Sequence, residues 1–220
     1  MTLNKRIAAF SLLVLVGGFL IYKVFFVSSS DSEDTRNTEN NTASYKVVES
    51  QKIIVGKDID PGYYDIKALD NEAEFFGDKM HDNAVLHAVP IHMNGNLSIK
   101  GRVEFKPSEF EKKEKKGQKY IIKDPGYYEV GTEIQEGNYV LSKTSHTIRV
   151  FVDIKDKTET ESLQTIQWEI DEKVKKPIEI ELKNGYNVYI DKTGKDGFIS
   201  NEGDLILERN NEDSESFKGI

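Results

Sequence analysis

The chain has 220 residues, a net charge of −8 and no cysteine, which is enough for one medium domain or two small ones. The absence of cysteine excludes thiol catalysis, thiolate metal sites and disulfides. All 38 acidic residues but only 27 of the 30 basic ones follow residue 27, so that part of the chain carries a net charge of −11. Such an acidic surface argues against nucleic acid as a partner.

An apolar run at residues 7–27 predicts a single transmembrane helix. At about 1.5 Å per residue it spans roughly 30 Å, the thickness of the hydrocarbon core of a bilayer. Lys5 and Arg6 lie in the short segment 1–6 before it, whereas acidic residues follow it. This asymmetry predicts a cytoplasmic N-terminus and an extracellular C-terminal ectodomain at the cell membrane. A cleaved signal peptide is the alternative, although the run is long for one and no Ala-x-Ala site follows it.

Polar segments divide the rest of the chain. Residues 28–45, rich in Ser, Asn and Thr, predict a disordered spacer, and residues 208–220 predict a disordered tail. Residues 108–119 are dense in Lys and Glu and predict a charged, solvated linker. This linker separates two predicted β modules, at residues 46–107 and 120–207.

The two modules are predicted from an internal repeat. The sequence Val-Gly-Lys-Asp-Ile-Asp-Pro-Gly-Tyr-Tyr at residues 55–64 returns at residues 130–139 as Val-Gly-Thr-Glu-Ile-Gln-Glu-Gly-Asn-Tyr. A competing alignment matches residues 124–130 to residues 60–66, and we interpret it as a second use of the same turn and strand. Glycine recurs where a turn needs positive φ or close approach of the backbone. The predicted turn positions are Gly56, Pro61, Gly62, Asn94, Gly95, Gly131, Gly137, Asn184 and Gly185.

Alternation of apolar and polar residues predicts β-strands on both sides of Asn94-Gly95 and of Asn184-Gly185. Asn-Gly between alternating strands predicts a hairpin with a type I′ turn, in which both central residues have positive φ. The second module is longer, and we assign its additional residues to the region around 156–162. The predicted fold is therefore all-β, with two consecutive small antiparallel β-sandwich or barrel-like modules after the transmembrane helix. Predicted strands include 87–93, 97–105, 148–154, 165–170, 178–182 and 186–190.

The motif Val-Gly-x-Asp-Ile-x-x-Gly-x-Tyr, with a later apolar hairpin, resembles a repeated module of exported and membrane-anchored proteins of Gram-positive bacteria. The resemblance covers residues 46–207 and departs from the pattern at Glu136, where a small residue is more usual. It implies an extracellular location and a β architecture. It carries over no active-site residues.

The sequence contains no recognisable catalytic or metal-binding motif. It lacks a nucleophile elbow, a P-loop, a zinc-protease helix and a dinucleotide fingerprint. We interpret His81, His87, His92 and His146 as ordinary, partly exposed side chains. The odd separation of His87 and His92 places them on opposite faces of a strand. The loop at 191–197 lacks the ligand spacing of a calcium site, so no catalytic residue, cofactor or metal is predicted.

Three tyrosines, Tyr63, Tyr127 and Tyr189, fall at positions predicted to face outward, where they are tentative contacts for a protein or a glycan. Packing between sheets is the alternative. The predicted function is that of a non-catalytic binding or spacer protein of the bacterial cell envelope, with its two modules acting together and without a metal. The alternative is an envelope hydrolase with paired carboxylates, Asp58 with Glu104.

Overall fold

The structure is a computed structural model, and the predicted all-β class is confirmed for the residues that it describes. A short 3-10 helix at Thr38–Asn40 precedes the strands. The predicted transmembrane segment 7–27 lies outside the described residues, and none of the described helices is long and apolar enough to cross a bilayer. The described residues are 36, 38–144, 147–155, 162–170, 177–194 and 196–210.

Residues 46–107 form the first β unit, whose eight strands make two sheets around a buried apolar cluster that includes Ile53, Ile66 and Phe105. The strands are β1 (Lys46–Glu49), β2 (Lys52–Ile54), β3 (Gly62–Ala68), β4 (Glu74–Phe75), β5 (Asp78–Met80), β6 (Val85–Ile91), β7 (Asn96–Lys100) and β8 (Arg102–Pro107). One sheet has the order β1-β8-β3-β6, and the other has the order β5-β4-β7-β2. All these neighbours are antiparallel.

The second β unit, residues 119–210, has its own cluster that includes Tyr139, Val150 and Leu207. The remaining strands of the chain are β9 (Lys115–Lys116), β10 (Lys119–Ile122), β11 (Gly126–Glu129), β12 (Gly137–Lys143), β13 (Ile148–Lys155), β14 (Ser162–Ile170), β15 (Ile178–Leu182), β16 (Asn187–Asp191), β17 (Phe198–Ile199) and β18 (Leu205–Arg209). One sheet has the order β15-β12-β18-β10, extended by β9, and the other has the order β11-β16-β13-β14.

The two units repeat one arrangement of strands. β1, β8, β3 and β6 correspond in order to β10, β18, β12 and β15, while β2, β7, β4 and β5 correspond to β11, β16, β13 and β14. The first glycines of the repeat are equivalent, since Gly56 N donates to Ile59 O and Gly131 N donates to Ile134 O, both at 2.7 Å. β13 and β14 have 8 and 9 residues where β4 and β5 have 2 and 3, so the second unit is longer at these strands.

The units pack directly against each other and share one eight-stranded sheet. β6 of the first unit pairs in parallel with β11 of the second, with His87 opposite Gly126. β17 adds a second parallel connection, to β5. Parallel pairing between two otherwise antiparallel units makes them one continuous body.

The Asn-Gly segments reverse the chain, but the predicted hairpins are wrong. β6 and β7 lie in different sheets, as do β15 and β16, so each turn crosses between sheets. Positive φ is found at Asn94 (63°) in the first turn and at Gly185 (84°) in the second, one residue in each, which excludes type I′. The predicted strand 97–105 is divided at Gly101, where φ is 63°. Alternation predicts a buried face but not the neighbouring strand, because both sheets of a sandwich have that pattern.

The predicted disordered spacer, residues 28–45, is wrong for residues 38–45, which pack on the first unit. Asn41 Oδ1 accepts a hydrogen bond from Tyr63 N at 2.9 Å, and Asn41 Nδ2 donates to the carbonyls of Tyr63 and Ser108 at 2.9 and 3.2 Å. Ala43 N also donates to Asn41 Oδ1 at 3.3 Å, so one asparagine satisfies four backbone groups. Composition alone gives no sign of such a contact.

The predicted linker and tail also contribute to the β units. Within the linker 108–119, Ser108 and Phe110 are buried and strand β9 pairs with β10. The first two residues of the predicted tail 208–220 belong to β18. Both boundaries are therefore misplaced, because strands as charged as β9 and the end of β18 have the composition of loops.

Candidate functional site

The junction between the two units contains a row of buried charged side chains. Asp65 lies on β3, His87 on β6, and Glu133 on the turn after β11. His87 is only 5 % exposed and Glu133 is fully buried. His87 Nδ1 lies 2.9 Å from Asp65 Oδ1, and His87 Nε2 lies 2.6 Å from Glu133 Oε1. The imidazole therefore bridges a carboxylate of the first unit and a carboxylate of the second.

A β-bulge directs His87 into the junction. The register between β3 and β6 shifts so that His87 and Ala88 together lie opposite Asp65. Ala88 has a φ of 48°, a left-handed conformation that is uncommon for a residue with a side chain. Asp65 Oδ1 holds the bulge by accepting hydrogen bonds from Ala88 N at 3.0 Å and from Ser108 Oγ at 2.7 Å.

Two cations face Glu133 at the same junction. Arg36 Nη1 lies 3.7 Å from Glu133 Oε2, and Lys113 Nζ lies 3.8 Å from Oε1. The guanidinium of Arg36 lies 5.1 Å from the ring centre of Tyr63, and Lys113 Nζ lies 5.4 Å from that of Tyr128. We call Arg36, Asp65, His87, Lys113 and Glu133 the junction cluster. It joins the N-terminal segment, the linker and both units.

The charge state of the junction cluster follows from its hydrogen bonds. Burial disfavours the charged form of His87, but the hydrogen bonds to Asp65 and Glu133 outweigh it and raise the pKa of the imidazole. Burial also disfavours the charged form of Asp65. Its hydrogen bonds with His87, Ala88 N and Ser108 nevertheless lower the pKa of that carboxyl. The raised pKa of His87 and the lowered pKa of Asp65 both favour an imidazolium that donates to the ionised carboxylate of Asp65.

The contacts of His87 suit packing between the two units better than catalysis. An imidazole with a carboxylate at each nitrogen has no nitrogen left to accept a proton from a nucleophile. Ser108 donates to Asp65 and not to His87, so the hydroxyl–imidazole contact of an activated serine is not formed. The interpretation of His87 as an ordinary, partly exposed side chain is wrong. Its buried position depends on a bulge, which has no periodic signature in the sequence.

The paired carboxylates of the hydrolase alternative are held by separate partners. Asp58 Oδ2 accepts a hydrogen bond from Ile54 N at 2.9 Å. Glu104 Oε1 accepts one from the hydroxyl of Tyr45, also at 2.9 Å. Asp58 therefore stabilises a turn. Its equivalent in the second unit is Glu133, and neither Asp58 nor Glu104 belongs to the junction cluster.

Two of the predicted turn glycines begin a Gly-x-Tyr motif that occurs three times in the chain. Gly62, Gly126 and Gly137 have φ values of 148°, 131° and 149°. In each case the tyrosine two residues later donates its hydroxyl to the carbonyl four residues before it. The three pairs are Tyr64 with Asp60, Tyr128 with Asp124 and Tyr139 with Gln135, at 2.7, 2.8 and 2.7 Å. The competing alignment thus marks a real third copy. Pro61 lies in the first of these turns, whereas Gly131 lies in a different turn, the one that corresponds to the turn at Gly56.

The tyrosines predicted as surface contacts pack against other aromatic rings. Tyr127 is 8 % exposed, and its ring stacks on Tyr189 with centroids 4.6 Å apart. Tyr189 also contacts Phe151 at 5.7 Å. Tyr63 is half-buried and meets Phe110 edge to face at 5.4 Å. A surface role is therefore wrong for Tyr127, because its side chain packs into the apolar cluster of the first unit, with Tyr189 against it.

The second unit has an open groove of about 580 Å³. Its lining residues are Glu136, Gly137, Asn138, Glu181, Leu182, Lys183, Asn184 and Arg209. Residues 136–138 correspond through the repeat to residues 61–63, where the first unit is covered by its own segment 41–43. There Thr42 Oγ1 donates to Pro61 O at 2.6 Å. The groove therefore has the position that segment 41–43 occupies in the first unit.

A buried lysine lies elsewhere in the second unit, in the loop at residues 191–197. Lys192 Nζ donates to three backbone carbonyls, those of Ile122, Lys123 and Gly203. Burial lowers the pKa of Lys192 to about 8, although neighbouring carboxylates oppose this. Across the part of the chain that the structure describes, no three His, Asp or Glu side chains are grouped to hold a metal ion. Comparison with protein-family models, with curated proteins and with solved structures finds no match for this chain.

Proposed function

We propose that the chain is a non-catalytic, membrane-anchored protein of a bacterial cell envelope that presents a rigid pair of β units to an extracellular partner. The observation that carries the proposal is the junction cluster, in which His87 is fully engaged by two carboxylates. A site of this kind fixes two units relative to each other and leaves no general base.

The N-terminal segment supports a position close to the membrane. Arg36 is buried at the junction, so only the eight residues 28–35 separate the predicted transmembrane segment from the folded part. Fully extended, eight residues reach at most about 28 Å. The units are therefore expected to lie within one domain diameter of the bilayer.

The groove of the second unit supports a binding role. Its equivalent in the first unit holds segment 41–43, which suggests that the groove accepts a peptide segment of a partner protein. Arg209 offers guanidinium donors and Asn184 offers an amide, whereas Lys183 is paired with Glu181 at 3.2 Å. A peptide with carbonyl and carboxylate acceptors matches this lining better than an apolar ligand does.

The location is tested with protease added to intact protoplasts that carry a C-terminal tag. Loss of the tag without lysis is the expected result, because the ectodomain is proposed to lie outside. A tag that resists protease until the membrane is disrupted would contradict the location.

The binding role is tested by cross-linking on cells and mass spectrometry of captured partners. The groove variant Lys183→Glu/Arg209→Glu is expected to lose capture, whereas Lys119→Glu, an exposed change on β10 of the same sheet, is expected to retain it. Capture should also persist in a chelator. Equal capture by the groove variant, or recovery of glycan and no protein, would contradict the peptide site.

A further inference from the structure

The two Asn-Gly dipeptides of the chain contain a reactive pair of groups that the proposed function does not use. In such a dipeptide the backbone nitrogen of the glycine can attack the side-chain carbonyl carbon of the asparagine, because glycine has no side chain to hinder the approach. Asn94-Gly95 and Asn184-Gly185 are the two Asn-Gly dipeptides of the sequence. Both asparagines are exposed, so exposure alone does not distinguish them.

The two dipeptides lie in equivalent turns but differ by one residue in register. The turns are residues 92–95 and 183–186, and each is closed by a hydrogen bond from the fourth backbone nitrogen to the first carbonyl, at 3.3 and 3.0 Å. The third residue has positive φ in both turns, 63° at Asn94 and 84° at Gly185. Asn94 is therefore the third residue of its turn, whereas Asn184 is the second residue.

The second residue of each turn covers the first glycine of the repeat. In the second unit this residue is Asn184, and a Cβ on Gly131 would lie 1.7 Å from its Oδ1 and 2.8 Å from its Cγ. In the first unit it is Met93, whose Sδ would lie 2.4 Å from a Cβ on Gly56. The side-chain amide of Asn184 is thus held against the backbone, whereas in the first unit Met93 makes that contact in place of Asn94.

The attacking nitrogen is also held more firmly in the second turn. Gly185 N donates to Val130 O, a carbonyl of a distant segment, at 2.9 Å. Gly95 N donates to His92 O within its own turn at 3.3 Å, which is longer than a usual N–H···O hydrogen bond. Each of these bonds must break before the nitrogen reaches the carbonyl carbon, so the attack is easier at Gly95.

We propose that Asn94 is a site of spontaneous deamidation in the folded protein, and that the fold protects Asn184 from the same reaction. In the first step a bond forms between Gly95 N and Asn94 Cγ, and the bond from Cγ to the side-chain nitrogen breaks. That nitrogen leaves as ammonia and takes the proton of the Gly95 N–H. Water then opens the cyclic imide at either carbonyl, which gives aspartate or isoaspartate. The proposal does not depend on the envelope location or on the groove.

Asp196-Gly197, the one Asp-Gly dipeptide of the sequence, has contacts that oppose the same ring closure. Asp196 Oδ1 accepts a hydrogen bond from Phe198 N at 3.1 Å, and Oδ2 lies 3.0 Å from His81 Nε2. The hydrogen bond from Phe198 N and the neighbouring His81 lower the pKa of the Asp196 carboxyl. The carboxyl is therefore ionised, and a carboxylate is a poor target for a nucleophile.

Conversion of Asn94 changes the turn that connects the two sheets of the first unit between β6 and β7. It adds a negative charge, and an isoaspartate also adds a methylene group to the backbone. Val55 N donates to Gly95 O in this turn at 2.9 Å, so a longer backbone disturbs that hydrogen bond. We expect the first unit to record the age of the protein in this way, while Asn184, which lines the groove, stays intact.

The test incubates the full-length chain in detergent micelles at pH 8.5 and 37 °C. Digested samples are analysed over time by mass spectrometry, with fragmentation that distinguishes aspartate from isoaspartate. Asn94 is expected to convert about tenfold faster than Asn184, which corresponds to about 1.4 kcal/mol in the barrier. In concentrated urea the two rates should become similar, because both asparagines then precede an unhindered glycine. Absent or slower conversion at Asn94, equal rates in the folded chain, or an undiminished ratio in urea would overturn the proposal.

A change of register gives a second measurement. The double variant Met93→Asn/Asn94→Gly moves the dipeptide back by one residue, to the place that Asn184 has in the second turn. Deamidation in the first unit should then slow about tenfold, to the rate of Asn184. Met93→Leu is the control, since it leaves Asn94-Gly95 in place and should keep the native rate. An unchanged rate in the double variant, or an equal fall in Met93→Leu, would contradict the role of the register. Matching far-UV circular dichroism spectra establish that each variant is folded.

Discussion

Strands β6 and β15 hold the same place in the two units, yet β6 joins two units whereas β15 ends its sheet. Each lies before an Asn-Gly turn, and each pairs with a strand that begins with the repeated Gly-x-Tyr motif. They differ by the bulge at His87 and Ala88. The bulge turns the imidazole of His87 toward the second unit, where its Nε2 contacts Glu133 Oε1.

The comparison shows how a duplicated unit acquires a junction. Glu133 and Asp58 are equivalent acidic residues that cap the same turn, but only Glu133 is completely buried against a basic partner. Both units have this turn, and only the junction combines it with an additional residue in β6. Changes at equivalent positions of the two units should therefore have unequal effects.

The largest difference is expected at the glycine under the junction. A Cβ at Gly126 would lie 2.2 Å from His87 O and 2.5 Å from His87 N. These are backbone atoms of the paired strand, so Gly126→Ala should lower the free energy of unfolding by about 3–5 kcal/mol. Gly185→Ala is the control, with a positive φ but no atom within 4 Å, and should cost about 1 kcal/mol. Urea unfolding followed by fluorescence of Trp168 measures both.

Equal losses for these two glycine variants would show that the close pairing of β6 with β11 does not contribute to stability. A loss at Gly126 alone would support a junction formed by direct contact of backbones. Comparing the two variants separates steric crowding at Gly126 from the cost of positive φ, which Gly126 and Gly185 share.

The next difference is expected between the equivalent acidic residues. Glu133→Gln removes a buried charge that faces His87, Arg36 and Lys113, and should lower the free energy of unfolding by about 3 kcal/mol, because the cations remain buried. Asp58→Asn keeps an oxygen for Ile54 N and should cost at most about 1 kcal/mol. Both are measured by urea unfolding at pH 6. A larger effect of Asp58→Asn would contradict the assigned role of the junction cluster.

A smaller effect is expected from pH. The folded pKa of His87 is raised above its ordinary value of 6.5, so its proton stabilises the folded state. This contribution is complete below pH 6.5 and is lost as pH rises through the raised folded pKa. Each unit of difference in pKa corresponds to about 1.4 kcal/mol. The titratable and charged groups facing His87 are Asp65, Glu133, Lys113 and Tyr128, with Arg36 behind Glu133.

Unfolding measured from pH 5.5 to 8.5 should show this loss in the native chain and a flatter profile in His87→Gln. The lowered pKa of Asp65 acts in the other direction: its contribution is present above its ordinary value of 3.8 and is lost as pH falls through the lowered folded pKa. A parallel pH profile in His87→Gln would show that the bridge does not stabilise the fold.

The repeat and the all-β class were predictable because both depend on local pattern. Gly62 and Gly137 mark their turns, and alternation marks buried faces. The order of strands was not predictable, since the Asn-Gly turns cross between sheets. The junction cluster was also hidden, because it joins residues as far apart as Arg36, His87 and Glu133 through a bulge that interrupts alternation. The third Gly-x-Tyr unit, at Gly126, was the one sequence signal that lay at the junction.

The smallest effects are expected for the three tyrosine hydroxyls that close the Gly-x-Tyr units. Each donates to the carbonyl four residues earlier, so each change to Phe should cost about 1 kcal/mol by leaving that carbonyl without its donor. Tyr64 has an additional role, since its hydroxyl also accepts a hydrogen bond from Ser44 N at 3.0 Å. Tyr64→Phe should therefore cost more than Tyr128→Phe in urea unfolding. Equal costs would mean that the N-terminal segment packs on the first unit without stabilising it.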